Sequence, residues 1–144
     1  MYSDQLMTKV GVESVDWVQL LALYREVGLV AGLGKKGDLP AIRRAFEASA
    51  KVVTAWLGDR LVGAGRLLSD GVCYGAIFDV GVVPEYQGQG VGKRVMTELL
   101  RGNEHLCIHL TSTFGNEPFY RKLKFKKHKT AMALYPFESS YLED

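Results

Sequence analysis

The stretch Val82-Val83-Pro84-Glu85-Tyr86-Gln87-Gly88-Gln89-Gly90-Val91-Gly92-Lys93 decides the reading of this chain, because an apolar, β-rich run ends there in a glycine-rich turn that opens directly into a helix. The first N–H groups of a helix lack intrahelical partners, and the macrodipole adds roughly half a positive charge at that end. A phosphate or pyrophosphate fits such a junction. Gly88, Gly90 and Gly92 remove the Cβ atoms that would hold a ligand at a distance. Two better-known phosphate patterns fail here. A P-loop anchored on Gly92-Lys93 would put Gln87 where its first glycine belongs and Arg94 where its magnesium-holding hydroxyl belongs. The dinucleotide pattern G-x-G-x-x-G fails by spacing, since Gly88, Gly90 and Gly92 run G-x-G-x-G.

What does fit is Q-x-x-G-x-G, carried by Gln87, Gly90 and Gly92 and preceded by the V-x-P of Val82 and Pro84. In this the sequence resembles the GCN5-related N-acetyltransferase (GNAT) family. A second segment, Asn116-Glu117-Pro118-Phe119-Tyr120-Arg121-Lys122-Leu123-Lys124-Phe125, resembles the family's N-x-x-x-F-Y-x-x-x-G-F signature in shortened form. Asn116 lies one residue closer to the Phe-Tyr pair than in many members, and Lys124 stands where a glycine is usual. The resemblance covers roughly Val52 to Tyr135. It implies an α/β, GNAT-like acyl-CoA N-acyltransferase fold, with a central, largely antiparallel sheet and flanking helices. It also implies acetyl-CoA as cosubstrate. Its pyrophosphate would be held by Gln87, Gly88, Gln89, Gly90, Val91, Gly92 and Lys93, and its pantetheine arm would pair with the backbone of Val82 and Val83 like an added strand. Asn116 would touch the pantetheine or thioester region, with capping of the following helix as its simpler role.

The 144 residues, 47% of them hydrophobic, make about one domain's worth of chain, which can bury on the order of 70% of the surface its unfolded form exposes. With no repeat and no dividing linker, a single domain over 1–144 is expected. Cys73 and Cys107 are too few for a disulfide framework, no signal-peptide pattern opens the chain, and no apolar run approaches the roughly 20 residues that span a bilayer. A cytoplasmic protein with no membrane partner is the expectation. A net charge of +2 implies no general affinity for nucleic acid.

In chain order, an alternating run from Gln5 to Glu13 predicts a first strand, and Ser14 or Asp16 caps a helix carrying Trp17, Leu20, Leu21, Tyr24 and Val27. Gly28 to Gly37 reads as a loop, before Asp38 caps a second helix through Ile42, Phe46 and Ala50; GNAT proteins usually build their acceptor site on such a helix-loop-helix. Lys51–Leu57, Arg60–Leu68 and Val72–Val83 are strand-like runs joined by Gly58-Asp59 and Asp70-Gly71, hence three antiparallel strands. Val91, Val95 and Leu99 form the apolar stripe of the next helix. Leu106–Thr111 predicts a strand, Glu117–Leu123 a short helix and Phe125–Tyr135 a final strand region.

The chemistry follows from what is absent as well as present. No activated cysteine or serine stands out, so direct attack of an amine on the thioester is expected, with acetyl transfer to a primary amine of a small molecule or protein. An alkylammonium costs about 4 to 5 kcal/mol to deprotonate at pH 7, which calls for a general base or an ordered water chain. Asp79, a carboxylate inside an apolar strand, is the candidate base or amine anchor, weighed against a structural carboxylate satisfied by backbone donors; the family's best-known strand carboxylate falls near Ala76. Glu85 and Glu117 read as turn and helix-start residues. Tyr120 is the candidate acid for the departing thiolate, because a phenol near pKa 10 stays protonated at pH 7. His105, Cys107 and His109 would share one strand face, but same-face neighbours stand about 7 Å apart, so no metal is expected. The basic run from Arg121 to Lys129 reads as solvated edges before nucleic-acid contact, and Trp17, Trp56 and Tyr24 read as core. The tail from Pro136 to Asp144, with Phe137 and Tyr141, offers apolar groups to a partner subunit in a homodimer. Two other classes stay open: a catalytically silent acyl-CoA-binding regulatory module, and a basic nucleic-acid-associated protein.

Overall fold

The computed structural model describes residues 5–144, and its contacts group into one unit ending at Thr111 and a second spanning Ser112–Asp144. The first unit is built on a five-stranded sheet in the order β1 (Leu6–Val10), β2 (Lys51–Leu57), β3 (Arg60–Ser69), β4 (Tyr74–Val82), β5 (Cys107–Leu110). The first three pairings are antiparallel and β4–β5 is parallel. That parallel step needs a crossover, which α4 (Val91–Leu100) supplies. Helices α1 (Trp17–Val27), α2 (Leu33–Lys36) and α3 (Leu39–Glu47) separate β1 from β2.

The turns form for local reasons. Gly58-Asp59 is a two-residue link between Leu57 and Arg60, which pair across it, and Gly58 takes φ 59 as a tight hairpin requires. At Asp70-Gly71 the Asp70 carboxylate accepts from the N–H groups of Val72, Cys73 and Tyr74, and this donation lowers its pKa. Strand alternation then sorts the helices onto opposite faces. A Cβ on Gly63 or Gly65 of β3 would run into Val91, Val95 or Leu99 of α4 at 2.7 to 3.0 Å, so these glycines let α4 lie close against the sheet. Gly81, which pairs with Ala64 and so lies on the other face, points at Tyr24 and Val27 of α1. Leu20, Leu23, Tyr24, Ile42 and Phe46 are buried on the α1–α3 side, and Val91, Val95, Met96 and Leu99 on the α4 side. Lys51 donates to the carbonyls of Glu98 and Arg101, closing the C-terminal end of α4.

Three expectations need correction. The first strand is only Leu6–Val10, because a 3-10 turn at Val12–Ser14 takes over after Gly11, at φ 106. The Gly28–Gly37 loop contains the one-turn helix α2, closed at Gly37 in the left-handed region. Phe125–Tyr135 forms no strand. Every side chain from Lys126 to Leu134 is exposed, in both parities, so no buried face drives pairing, and Lys124 enters the run at φ 75. The second unit instead consists of α5 (Glu117–Lys122) and irregular chain, in which Phe114 stacks on Tyr141 at 4.1 Å and donates its N–H to the Tyr141 hydroxyl.

Candidate active site

The start of α4 differs from those of α1 and α3. Asp16 accepts from the Gln19 N–H at α1, and Asp38 from the Ala41 N–H at α3. At α4 the N-cap is Gly90, at φ 89, with no side-chain cap. The first intrahelical bond runs from the Arg94 N–H to the Gly90 carbonyl, so the N–H groups of Val91, Gly92 and Lys93 precede it. Ideal Cβ atoms on Gly88 and Gly90 would meet nothing within 4 Å, and burial of Val91, Val95, Met96 and Leu99 fixes the helix behind them. The donor set suits an anion held by backbone amides.

Side chains brace this turn from outside. Gln87 donates to the Val82 carbonyl at 3.0 Å and Gln89 to the Glu85 carbonyl at 3.2 Å. The Arg60 guanidinium grips both Glu85 oxygens, holding that carboxyl below its ordinary pKa, and lies over the Tyr86 ring at 5.2 Å. The Gln89 Oε1 atom is buried with no partner among the described residues.

The β4–β5 pairing runs from Tyr74 to Ile77 while β4 continues to Val82, so the far half of β4 has no strand partner on the β5 side among the described residues. The Val83 N–H donates to the Val62 carbonyl at 2.9 Å, which turns the Val82 N–H toward the opposite, open edge. Of the two residues expected to pair with a pantetheine arm, Val82 therefore has the outward-facing amide.

Asp79 sits in an irregularity of that strand, where the register passes from Ala64↔Gly81 to Arg66↔Phe78, and takes φ 61. Its carboxylate accepts from the Val30 N–H at 2.8 Å and from Arg66 Nε at 2.9 Å, with both side chains largely buried. Its carbonyl accepts from the Tyr24 hydroxyl at 2.5 Å, and burial, reinforced by Asp79, pushes the Tyr24 phenol well above its ordinary pKa.

Residues 48–127 match the family model described as an acetyltransferase (GNAT) domain, more than half of the chain. The chain belongs to the GNAT family. An uncharacterized N-acetyltransferase, ycf52-like, of Prochlorococcus marinus is 32% identical over 109 residues, 73% of this chain and 58% of that relative. The glucosamine 6-phosphate N-acetyltransferase of Trypanosoma brucei brucei is 29% identical over 126 residues, 81% of this chain and 85% of that protein. Among solved structures, a GNAT-family acetyltransferase from Streptococcus pneumoniae TIGR4 superposes with a TM-score of 0.76 at 28% identity, covering 92% of this chain and 99% of that one. The chain spans little more than half the length of the Prochlorococcus relative.

The second GNAT signature falls in the second unit. Asn116 occupies the N-cap position of α5, but its amide donates to the Thr113 hydroxyl at 2.6 Å and makes no side-chain cap, which corrects the capping expectation. Tyr120 packs edge-on against Phe119 and Phe125 at 4.9 and 5.9 Å, and burial raises its pKa, so the phenol holds its proton across the neutral range. Among the described residues no hydrogen bond occupies its hydroxyl. Ser112 donates to Glu117.

His105 contacts the Gly71 carbonyl at 3.1 Å, and among the described residues no three His, Cys, Asp or Glu side chains gather as a metal site would require. No described helix is long and apolar enough to cross a membrane. Tyr24 and Trp56 are core, whereas Trp17 is only half-buried. Sequence reasoning missed Arg66 and Arg60. Arg66 carried a legible signal, a lone cation inside the apolar run Leu61–Leu68 facing a lone carboxylate in the next strand.

Proposed function

We propose that this GNAT chain is an acetyl-CoA-dependent N-acetyltransferase acting on the primary amine of a small molecule. The observation that carries the reading is the uncapped start of α4, where the amides of Val91, Gly92 and Lys93 precede the first intrahelical bond and Cβ atoms on Gly88 and Gly90 would stand in open space. The pyrophosphate would lie on residues 87–93, and the pantetheine arm along the open edge at Val82. The neutral amine attacks the thioester carbonyl carbon, a C–N bond forms and the C–S bond breaks. The thiolate takes its proton from the Tyr120 hydroxyl, an assignment supported by the family resemblance and by a phenol that stays protonated. The amine proton leaves to a base or to water.

The acceptor class rests on the trypanosomal relative, whose name specifies an amino sugar phosphate and whose match runs over most of both chains. Lys35 and Lys36, exposed on α2, supply positive charge for a phosphorylated acceptor. The test incubates the protein with acetyl-CoA and a panel of glucosamine 6-phosphate, glucosamine, spermidine and a lysine peptide, and follows free thiol release. Turnover with any amine supports the reading, and preference for the phosphorylated sugar supports the acceptor class. Tight coenzyme A binding without turnover on any amine would leave only an acyl-CoA-binding module.

A further inference from the structure

Arg66 and Asp79 are opposite charges on adjacent strands, 14% and 10% exposed, and each reaches out of the sheet to the same segment. Asp79 Oδ1 accepts the Val30 N–H. Arg66 Nη1 reaches the Ala45 carbonyl and the Ser49 hydroxyl, each at 3.4 Å, while its guanidinium lies against the rings of Phe46 and Phe78 at 5.6 and 5.8 Å. One ion pair thus holds both ends of the helix-loop-helix between Val30 and Ser49. Its first end is strained. Val30 and Ala31 stand at φ 56 and φ 52, a region that disfavours a β-branched residue and persists only where the surroundings over-determine it. The buried Val30 side chain and the Asp79 anchor do that, and the Val30 carbonyl then accepts the Leu33 N–H that opens α2.

We propose that the Arg66–Asp79 pair is a positioning clasp that shapes the segment from Val30 to Ser49 for the acceptor amine, and that Asp79 does not take the acceptor's proton. The proposal rests on the acetyltransferase reading, in which this segment forms the acceptor side. A general base needs a carboxylate oxygen turned to the substrate; here Oδ1 faces an amide donor and Oδ2 a guanidinium. Arg66 meanwhile orients the carboxylate through Oδ2, and the Tyr24 hydroxyl donates to the Asp79 carbonyl.

Asp79→Asn, Arg66→Lys and the double variant test this by kinetics with the fastest amine of the panel above and by hydrogen exchange at Val30 on the free protein. Each single variant is expected to raise the acceptor KM about ten-fold. The acetyl-CoA KM should stay within about two-fold, and the double variant should be no worse than the worse single, as expected for residues acting as one unit. The rise of kcat with pH should keep its midpoint, and the Val30 amide should exchange faster in every variant. If Asp79→Asn does not fold, Arg66→Lys carries the test, since a base at Asp79 predicts no change in acceptor KM there. The clasp is overturned if Asp79→Asn loses about 10² or more in kcat together with the pH-dependent rise while Arg66→Lys behaves as the parent. Unchanged Val30 exchange also overturns it, whether or not any amine turns over. Failure of the parent to acetylate any amine would instead remove the acetyltransferase reading, with the exchange data still deciding the clasp.

Discussion

The starts of α1 and α3 on one side, and of α4 on the other, solve the same physical problem in opposite ways. All three helices begin with N–H groups that lack partners. Asp16 and Asp38 put carboxylates on the first two, whereas Gly90 puts nothing on the third. A helix held in place by burial of Val91, Val95, Met96 and Leu99 does not need a cap to persist, so its free amides can serve a ligand. Helices α1 and α3 are closed by their own side chains, and the helix with the family motif is left without a side-chain cap.

That contrast can be broken by giving α4 what the others have. Gly92→Glu places a carboxylate in the first turn of α4, where a negative charge and a better helix former than glycine should both stabilise the fold. The same charge opposes a pyrophosphate. Coenzyme A affinity is expected to fall about 100-fold or more while the melting temperature holds or rises by a few degrees, read by calorimetry and thermal unfolding. Weaker binding accompanied by a lower melting temperature would mean that the glycine serves packing. Gly90→Asp should also weaken coenzyme A binding, but with a lower melting temperature, because Gly90 stands at φ 89 whereas Asp16 caps α1 from an extended conformation.

Tyr120→Phe separates chemistry from binding, since it removes only an oxygen. The turnover number should fall at least about ten-fold with acetyl-CoA KM little changed, measured where chemistry is rate-limiting. Near-normal turnover would remove Tyr120 as the acid.

Much of this arrangement was legible in the chain because it depends on neighbours in sequence. Asp16 and Asp38 precede apolar periodicity, Gly58-Asp59 links two strand-like runs, and Gln87 to Gly92 stand together. The Arg66–Asp79 pair was not, although both residues look anomalous in their runs. Their meeting depends on the β3–β4 register, on a bulge that turns Asp79 to φ 61, and on a Val30 amide 49 residues away. Phe125–Tyr135 misled for the converse reason: its scattered apolar residues suggest a strand, but Lys126, Lys127, Lys129, Ala131 and Ala133 do not favour one and no face of the run is buried. Asn116 likewise had the right type for a cap but bonded Thr113 instead.

Smaller effects sharpen the packing side of the comparison. Gly63→Val forces a Cβ to 2.7 Å from Val91 and should destabilise by about 1 to 3 kcal/mol while displacing the start of α4, so both thermal stability and coenzyme A affinity should fall. Asp16→Ala should cost about 1 kcal/mol with cosubstrate affinity intact. Donation from the Gln19 side chain, then its backbone, holds Asp16 below its ordinary pKa. Its stabilisation is therefore complete above the unfolded carboxylate value near about 4 and disappears as pH falls through the lower folded value. The melting-temperature gap between Asp16→Ala and the parent should accordingly close in acid. A gap that persists there would assign the loss to something other than the charged cap.

The central claim, that the backbone at the start of α4 receives the cosubstrate, is tested most directly by following backbone amide resonances while coenzyme A is titrated into the protein. The account predicts that the largest shifts fall on Gln87 to Lys93, with the Val82 amide moving and those at the capped starts of α1 and α3 staying still. Saturable binding that leaves the 87–93 amides in place and moves others would contradict it.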